Sequence, residues 1–180
     1  MKKTILFISI FLLMVACKND TVTAKQQLVV PNITNAPVKE TKNVQALKKD
    51  QLKNFFPDYI GSHKQFNIFA YPAESVASAS YGSFDNSYTY SLSDGINNSS
   101  VIENFELSYN SELNGPEGTK YIKQIRDGYK TIAFLQPNIN RYNIEFIYNN
   151  RFKLILEGPE NPDVLWTYIK EEDLKKLAEY

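Results

Sequence analysis

The chain has one cysteine, Cys17, and one histidine, His63, so the residues that most often carry out nucleophilic chemistry are scarce. A catalytic triad needs a histidine beside its nucleophile, and a metal cluster needs several ligands together. A single histidine, in the sequence Gly61-Ser62-His63, supplies neither, and we predict a solvated loop imidazole there. No Gly-Lys-Ser or Gly-Lys-Thr sequence is present to cradle a phosphate. We therefore predict no catalytic residue of these kinds, no metal site and no cofactor.

Cys17 follows a stretch with the features of an export signal. Lys2 and Lys3 precede an apolar run from Ile5 to Ala16 that only a serine interrupts. As a helix this run would span about 18 Å, whereas the hydrocarbon core of a bilayer is about 30 Å thick. The run is too short to cross a membrane, which favours a cleaved signal peptide at residues 1–16.

The sequence Met14-Val15-Ala16-Cys17 resembles the lipobox of bacterial lipoproteins. In that family the cysteine thiol is acylated and the cysteine becomes the first mature residue, so the resemblance implies a lipid on Cys17. The family usually has leucine where this chain has Met14. Lys18, in place of an aspartate, resembles lipoproteins destined for the outer membrane. The resemblance therefore implies a lipid anchor in the outer membrane, on the periplasmic face or at the cell surface.

Residues 17–42 have the composition of a lipidated cysteine followed by a flexible spacer. Pro31 and Pro37 interrupt the segment, and it shows no apolar periodicity. Within it, Asp20-Thr21-Val22 resembles a short O-glycosylation sequon of some exported Gram-negative proteins. Thr21 is therefore a candidate glycosylation site.

The charge of the mature chain argues against several partners. Loss of Lys2 and Lys3 leaves 18 basic residues of the original 20, against 20 acidic residues, so the formal net charge is 18 − 20 = −2. This balance gives no electrostatic reason to bind nucleic acid or an anionic membrane surface. The expected partners are the membrane, through the lipid on Cys17, and an envelope protein, a glycan or an apolar ligand.

Residues 43–180 are long enough for a single globular domain, and their pattern predicts an α+β fold. Val44 to Phe56 is predicted as an amphipathic helix. Alternating apolar residues predict an antiparallel meander sheet of about six or seven strands, with helices packed on one or both faces. Asp127-Gly128 predicts a two-residue hairpin turn. The order of the elements loosely resembles the α/β/α sandwich of photosystem oxygen-evolving extrinsic proteins, and this resemblance transfers no functional residues.

Two C-terminal assignments depend on helix signals. In residues 101–113 a capping box formed by Ser100 and Glu103 favours a helix, while the alternation around Leu107 leaves a strand open. A break near Glu171 is predicted in the C-terminal helix, followed by a second short helix that Asp173 caps.

Carboxylates and tyrosines are the remaining candidates for a site. Two carboxylates at the right separation can hydrolyse a glycoside, yet Glu145 and Glu157 are predicted on the solvent face of strands, and Glu171 at a helix start. Tyrosine rings suit either sugar recognition or sheet packing, and packing is the prediction for Tyr88, Tyr90, Tyr121, Tyr129, Tyr142 and Tyr148.

The sequence thus favours a lipid-anchored lipoprotein of the cell envelope with a non-enzymatic binding or structural role. The alternative is an anchored hydrolase that acts on envelope glycan or lipid through carboxylates.

Overall fold

The computed structural model describes residues 44–180, so the signal peptide, Cys17, Thr21 and the spacer lie outside the described residues. The described chain is an antiparallel sheet with four short helices, which confirms an α+β fold. The sheet has eight strands, not six or seven. The strands are β1 Tyr59–Ile60, β2 His63–Tyr71, β3 Val76–Ser83, β4 Asn86–Asp94, β5 Lys120–Arg126, β6 Tyr129–Gln136, β7 Arg141–Tyr148 and β8 Phe152–Gly158. The helices are α1 Lys49–Asn54, α2 Ser100–Asn110, α3 Pro162–Thr167 and α4 Glu171–Ala178.

The sheet is built from two similar meanders rather than one. Its strand order is β1-β2-β3-β4-β8-β7-β6-β5, so β1 to β4 form one half, β5 to β8 form the other, and β4 pairs with β8 at the centre. In each half the second and third strands are joined by a 3-10 turn that starts with a proline, Pro72 or Pro137. Each turn ends in a left-handed residue, Ser75 at φ 56° or Asn140 at φ 50°. The strands of the two halves are thus related by an approximate two-fold axis between β4 and β8.

One face of the sheet carries the main hydrophobic core. The register aligns Ala79, Tyr90, Leu156 and Ile144 across β3, β4, β8 and β7, and all four are buried. Helices α1, α3 and α4 cover this face, because their buried leucines and aromatic rings belong to the same cluster. Because side chains alternate between the two faces along a strand, the residues that lie between these core residues in each strand point to the opposite face of the sheet.

Helix α2 packs on the opposite face and covers only part of it. It lies against β6, β7 and β8, where Phe105 is buried. Lys130, on the same face, bonds to Glu106 and stacks over the ring of Tyr109. In the described part of the chain, the outer face of β2, β3 and β4 has no such helix.

Several local predictions need correction. The first helix begins at Lys49 rather than Val44, which is 44% exposed. The helix at residues 101–113 is confirmed as α2 and the strand alternative is wrong, but Ser99 occupies the N-cap and Ser100 caps nothing. The break before α4 is confirmed, but Lys170 is its N-cap. Asp173 lies in the first turn of α4 instead, where it bonds to Lys176.

Candidate functional site

Within residues 44–180 the outer face of β2, β3 and β4 is not covered by a helix, and we call it the hydroxyl face. Along three paired strands, the residues of this face alternate with residues that point into the core, so their side chains point to the opposite side of the sheet. None is buried, and most are serine or threonine. They are Asn67, Phe69 and Tyr71 on β2, Val76, Ser78 and Ser80 on β3, and Ser87, Thr89, Ser91 and Ser93 on β4.

Aromatic rings border the hydroxyl face along β2. Phe69 is 49% exposed and Tyr71 is 56% exposed, and each pairs with a small β3 residue, Ser78 or Val76. Phe84, at the tip of the β3–β4 turn, is 90% exposed. A row of hydroxyl groups therefore lies beside two flat apolar rings on a shallow surface.

The hydroxyl face contains no charged side chain. Lys64, which precedes the bulge in β2, is exposed on the same side of the sheet at the end of this face. On the β4 flank the charged residues belong to β7 and β8, where they neutralise each other. Lys153 bonds to Glu145 and Arg141 bonds to Glu157, each at 2.7 Å. Glu145 and Glu157, which were predicted on the solvent face of strands, therefore form half-buried ion pairs there. Each pair has no net charge, so this flank of the hydroxyl face is electrically neutral.

His63 belongs to an aromatic cluster and is not a solvated loop residue. It begins β2, and its ring lies 4.3 Å from that of Tyr88 and 5.9 Å from that of Tyr168. The phenol of Tyr168 donates a hydrogen bond of 2.7 Å to Glu160. Gly61 gives the ring of Tyr168 its space, since a Cβ there would lie 2.6 Å from the ring. The prediction failed because the tyrosine partners of His63 are distant in sequence.

The phenols of this cluster are held in their neutral form. Burial, together with the nearby Glu160 carboxylate, raises the pKa of Tyr88 well above its ordinary value. Burial and the hydrogen bond to Glu160 raise the pKa of Tyr168 to about 12. A phenol with so high a pKa is a poor base at neutral pH. The cluster is therefore better suited to packing the end of the sheet than to proton transfer.

Two open grooves flank α2 on the other half of the sheet. The larger, about 340 Å³, is lined by Ile96, Ile102 and Glu103 of the β4–α2 region together with Arg151. The guanidinium of Arg151 already bonds to Asp94, so it is committed within the protein. The smaller groove, about 270 Å³, lies beside Phe105 and Lys130. The larger groove is also lined by the polar side chains of Ser99 and Asn150, but it holds no histidine, cysteine or pair of carboxylates.

The tyrosines divide between the two faces of the sheet. Tyr88, Tyr90 and Tyr148 are buried on the core face, which confirms sheet packing for them. Tyr121 lies on the opposite face, where it stacks on Phe134 at 4.5 Å. The exposed rings of the hydroxyl face are instead Phe69 and Tyr71, which sequence reasoning had not selected. The serine alternation predicted the strands, but only the strand register shows that the serines and these rings share one face.

The described part of the chain has no group of side chains suited to a metal ion and no helix suited to crossing a membrane. Within residues 44–180 no three His, Cys, Asp or Glu side chains are grouped to hold a metal ion. None of the helices in this range combines the length and apolar character that crossing a bilayer requires. Compared with protein-family models, with curated proteins and with solved structures, the chain matches none.

Proposed function

We propose that this protein is a lipid-anchored lipoprotein of the outer membrane that binds a neutral envelope glycan, without catalysis, through its hydroxyl face. The anchoring part rests on the sequence that ends at Cys17. The binding part rests on one observation, an uncharged surface of serine and threonine hydroxyls bordered by exposed rings. The predicted spacer would hold this face away from the bilayer.

The composition of the hydroxyl face favours a glycan over the other expected partners. Sugar hydroxyls can exchange hydrogen bonds with Ser and Thr, and the apolar faces of sugar rings can stack on Phe69 and Tyr71. Protein interfaces are generally depleted in serine, whereas this face is dominated by it. An anionic glycan or nucleic acid would require a cluster of free basic groups, whereas Lys153 and Arg141 beside β4 are paired and Lys64 at the end of β2 is a single exposed lysine.

Glycan binding is tested by affinity electrophoresis through gels that contain a soluble neutral polysaccharide. We expect the protein to be retarded, and the Ser91→Arg variant, which places a long charged side chain in the middle of the face, to lose the retardation. Ser108→Arg, at a half-exposed serine of α2, is the matched control and should keep it. Retardation only by an anionic polysaccharide, or equal retardation of both variants, would contradict the proposal. Release of reducing ends from the polysaccharide would instead favour the hydrolase alternative.

Anchoring is tested separately by metabolic labelling with a radioactive fatty acid. We expect label on the parent chain and none on Cys17→Ser, because the thioether to the lipid requires the sulfur atom. Label that persists in the serine variant would refute lipidation at Cys17, and it would leave the glycan proposal untouched.

A further inference from the structure

The outer edge of β2 has no strand beside most of its length in the described part of the chain. β1 pairs only with His63 and Lys64, and the Gln65 N–H is bonded to the Asp58 carbonyl at 2.8 Å. A β-bulge lies between Gln65 and Asn67, and beyond it the strand is regular as far as Tyr71. Residues 67–71, which we call the edge segment, therefore present an unpaired strand edge.

The backbone groups of Ile68 and Ala70 point away from the sheet. The Ile68 N–H is bonded to the side chain of Asn67 at 2.9 Å and not to β3, so it is directed outward. In an antiparallel ladder the hydrogen-bonding direction alternates along the strand, which sends the groups of Ala70 outward as well. The Asn67 amide occupies a position that the carbonyl of a neighbouring strand would take.

The two edges of the sheet differ in their protection against pairing. Strand β5, at the far edge, carries Lys120 and Lys123, and charged residues are a common defence against edge-to-edge association. From Phe66 to Tyr71, β2 has no charged residue, and Phe69 and Tyr71 are about half exposed. Of the two sheet edges formed by residues 44–180, the β2 edge is therefore the one open to an additional strand.

We propose that the edge segment pairs with the edge segment of a second copy of this chain, as an antiparallel dimer whose two-fold axis passes beside Phe69. In this register the outward groups of Ile68 face those of Ala70 in the other copy, so four backbone hydrogen bonds form across the axis. Phe69 faces its own copy, and each Asn67 faces a Tyr71. Every contact occurs twice, as a symmetric interface requires.

A second copy suits this edge for two reasons. The uncharged edge segment meets itself without like-charge repulsion, and all the other strand pairs in the sheet are antiparallel too. The area is modest, because Phe69 and Tyr71 together expose roughly one whole aromatic side chain per copy. The rings of the two copies would contribute roughly 300–500 Å², so even with the backbone included the interface stays below the roughly 1,000 Å² of a stable specific complex and is that of a weak, transient one. The dimer is therefore reversible and concentration-dependent. It draws on Phe69 and Tyr71, the rings on which a glycan would stack, so we expect the dimer and the glycan to compete for them.

Sedimentation velocity of the purified full chain in non-ionic detergent, over a concentration series, tests the dimer. We expect a monomer–dimer equilibrium in which Phe69→Lys raises the dissociation constant about tenfold or more, since two ammonium groups would face each other across the axis. Ile125→Lys, on the β5 edge and 65% exposed, is the matched control and should change nothing. A monomer at every concentration, or equal weakening by both variants, would overturn the proposal. If Phe69→Lys does not fold, Asn67→Lys takes its place.

Disulfide trapping tests the register. In the full chain carrying Cys17→Ser, so that the introduced thiol is alone, Phe69→Cys should oxidise to a covalent dimer much faster than Ile125→Cys. Facing residues that do not share backbone hydrogen bonds lie close enough for a disulfide. Equal rates of trapping for the two variants would refute pairing centred on Phe69.

Discussion

Six tyrosines in the described chain have raised pKa values, and burial is the largest cause for each. They are Tyr81, Tyr88, Tyr90, Tyr129, Tyr148 and Tyr168. Nearby carboxylates act in the same direction, Glu160 on Tyr88 and Glu171 on Tyr129. The folded protein therefore holds these phenols neutral at a pH where an unfolded chain would ionise them.

This difference makes stability fall in alkaline solution. Below pH about 10 the phenols are protonated in both states, so their contribution to stability is complete. Between about pH 10 and about pH 12 the unfolded chain ionises while Tyr168, with a pKa of about 12, stays neutral, so the free energy of unfolding decreases. We expect tyrosinate absorbance to rise late and together with loss of circular dichroism. Ionisation of all twelve tyrosines near pH 10 in the folded protein would contradict this.

A substitution at Gly128 tests how much the left-handed backbone of the turn between β5 and β6 contributes to stability. Asp127 and Gly128 have φ values of 48° and 87°, as the predicted two-residue turn between β5 and β6 requires. A Cβ at Gly128 would touch nothing within 4 Å, so the cost of a side chain is backbone strain alone. We expect Gly128→Val to lower the free energy of unfolding by roughly 1 kcal/mol or more, measured by urea denaturation. Gly128→Asn should cost less, because asparagine tolerates left-handed backbone. Equal stability of the valine variant and the parent would show that this turn can relax.

At the scale of elements, one buried ion pair joins the central strands to both ends of the domain. Asp94, at the end of β4, has a fully buried side chain and accepts two hydrogen bonds of 2.7 Å from Arg151. It also accepts the Leu47 N–H at 3.0 Å. Arg151 in turn donates to the carbonyl oxygens of Gln45 and Tyr180. The residues before α1 and after α4 are thereby fixed to the start of β8.

Removing one member of this pair should be far more costly than removing an exposed pair. We expect Asp94→Asn to lower the free energy of unfolding by about 3–5 kcal/mol, because the guanidinium would remain buried without its counter-charge. Glu106→Gln breaks the Lys130 pair, whose side chains are 44% and 42% exposed, and should cost about 0–1 kcal/mol. Chemical denaturation measures both variants. Similar losses would mean that burial does not set the strength of these pairs.

Helices, strands and turns that are marked by a pattern of neighbouring residues were predictable from the sequence. Elements that depend on contacts with residues far away in the sequence were not. Asp127-Gly128 and the Tyr142 alternation mark a turn and a strand with a few neighbouring residues. Strand β1 has only two residues and exists because β2 lies beside it. The first helix begins at Lys49 instead of Val44 because the residues before it extend to Arg151 and Asp94. Such contacts span more than forty residues and leave no periodic pattern.

The candidate site was predictable only in part, for a similar reason. Serine alternation at Ser78 and Ser91 was visible as strands, but the side of the sheet they share with Phe69 depends on register across three strands. The sequence also did not show that α2 covers one half of that side and not the other, since helix placement depends on the length of the connection between β4 and β5.

At the scale of the whole molecule, the boundary of the folded domain can be located by truncation. We expect a chain that begins at Asn43 to melt like one that begins at Lys18, because residues 18–42 have no apolar stripe to offset the ordering cost of about 1–2 kcal/mol per residue. A chain that begins at Lys49 should melt lower, because it loses the Leu47 side chain and the Gln45 carbonyl. Thermal unfolding by circular dichroism measures all three. A lower melting temperature for the Asn43 chain would place part of the spacer within the folded unit.

The pairing of β4 with β8 has a consequence for the rate of folding. Within each meander the paired strands are consecutive, so their contacts close short loops. Across the centre, Thr89 pairs with Glu157 and Asp94 with Phe152, which are 157 − 89 = 68 and 152 − 94 = 58 positions apart. Closing such long loops is entropically costly before the contacts form, so this central pairing should come late in the folding reaction. Substitutions along it should then speed unfolding while leaving the folding rate nearly unchanged, and the lifetime of the native protein would depend on this one pair of strands.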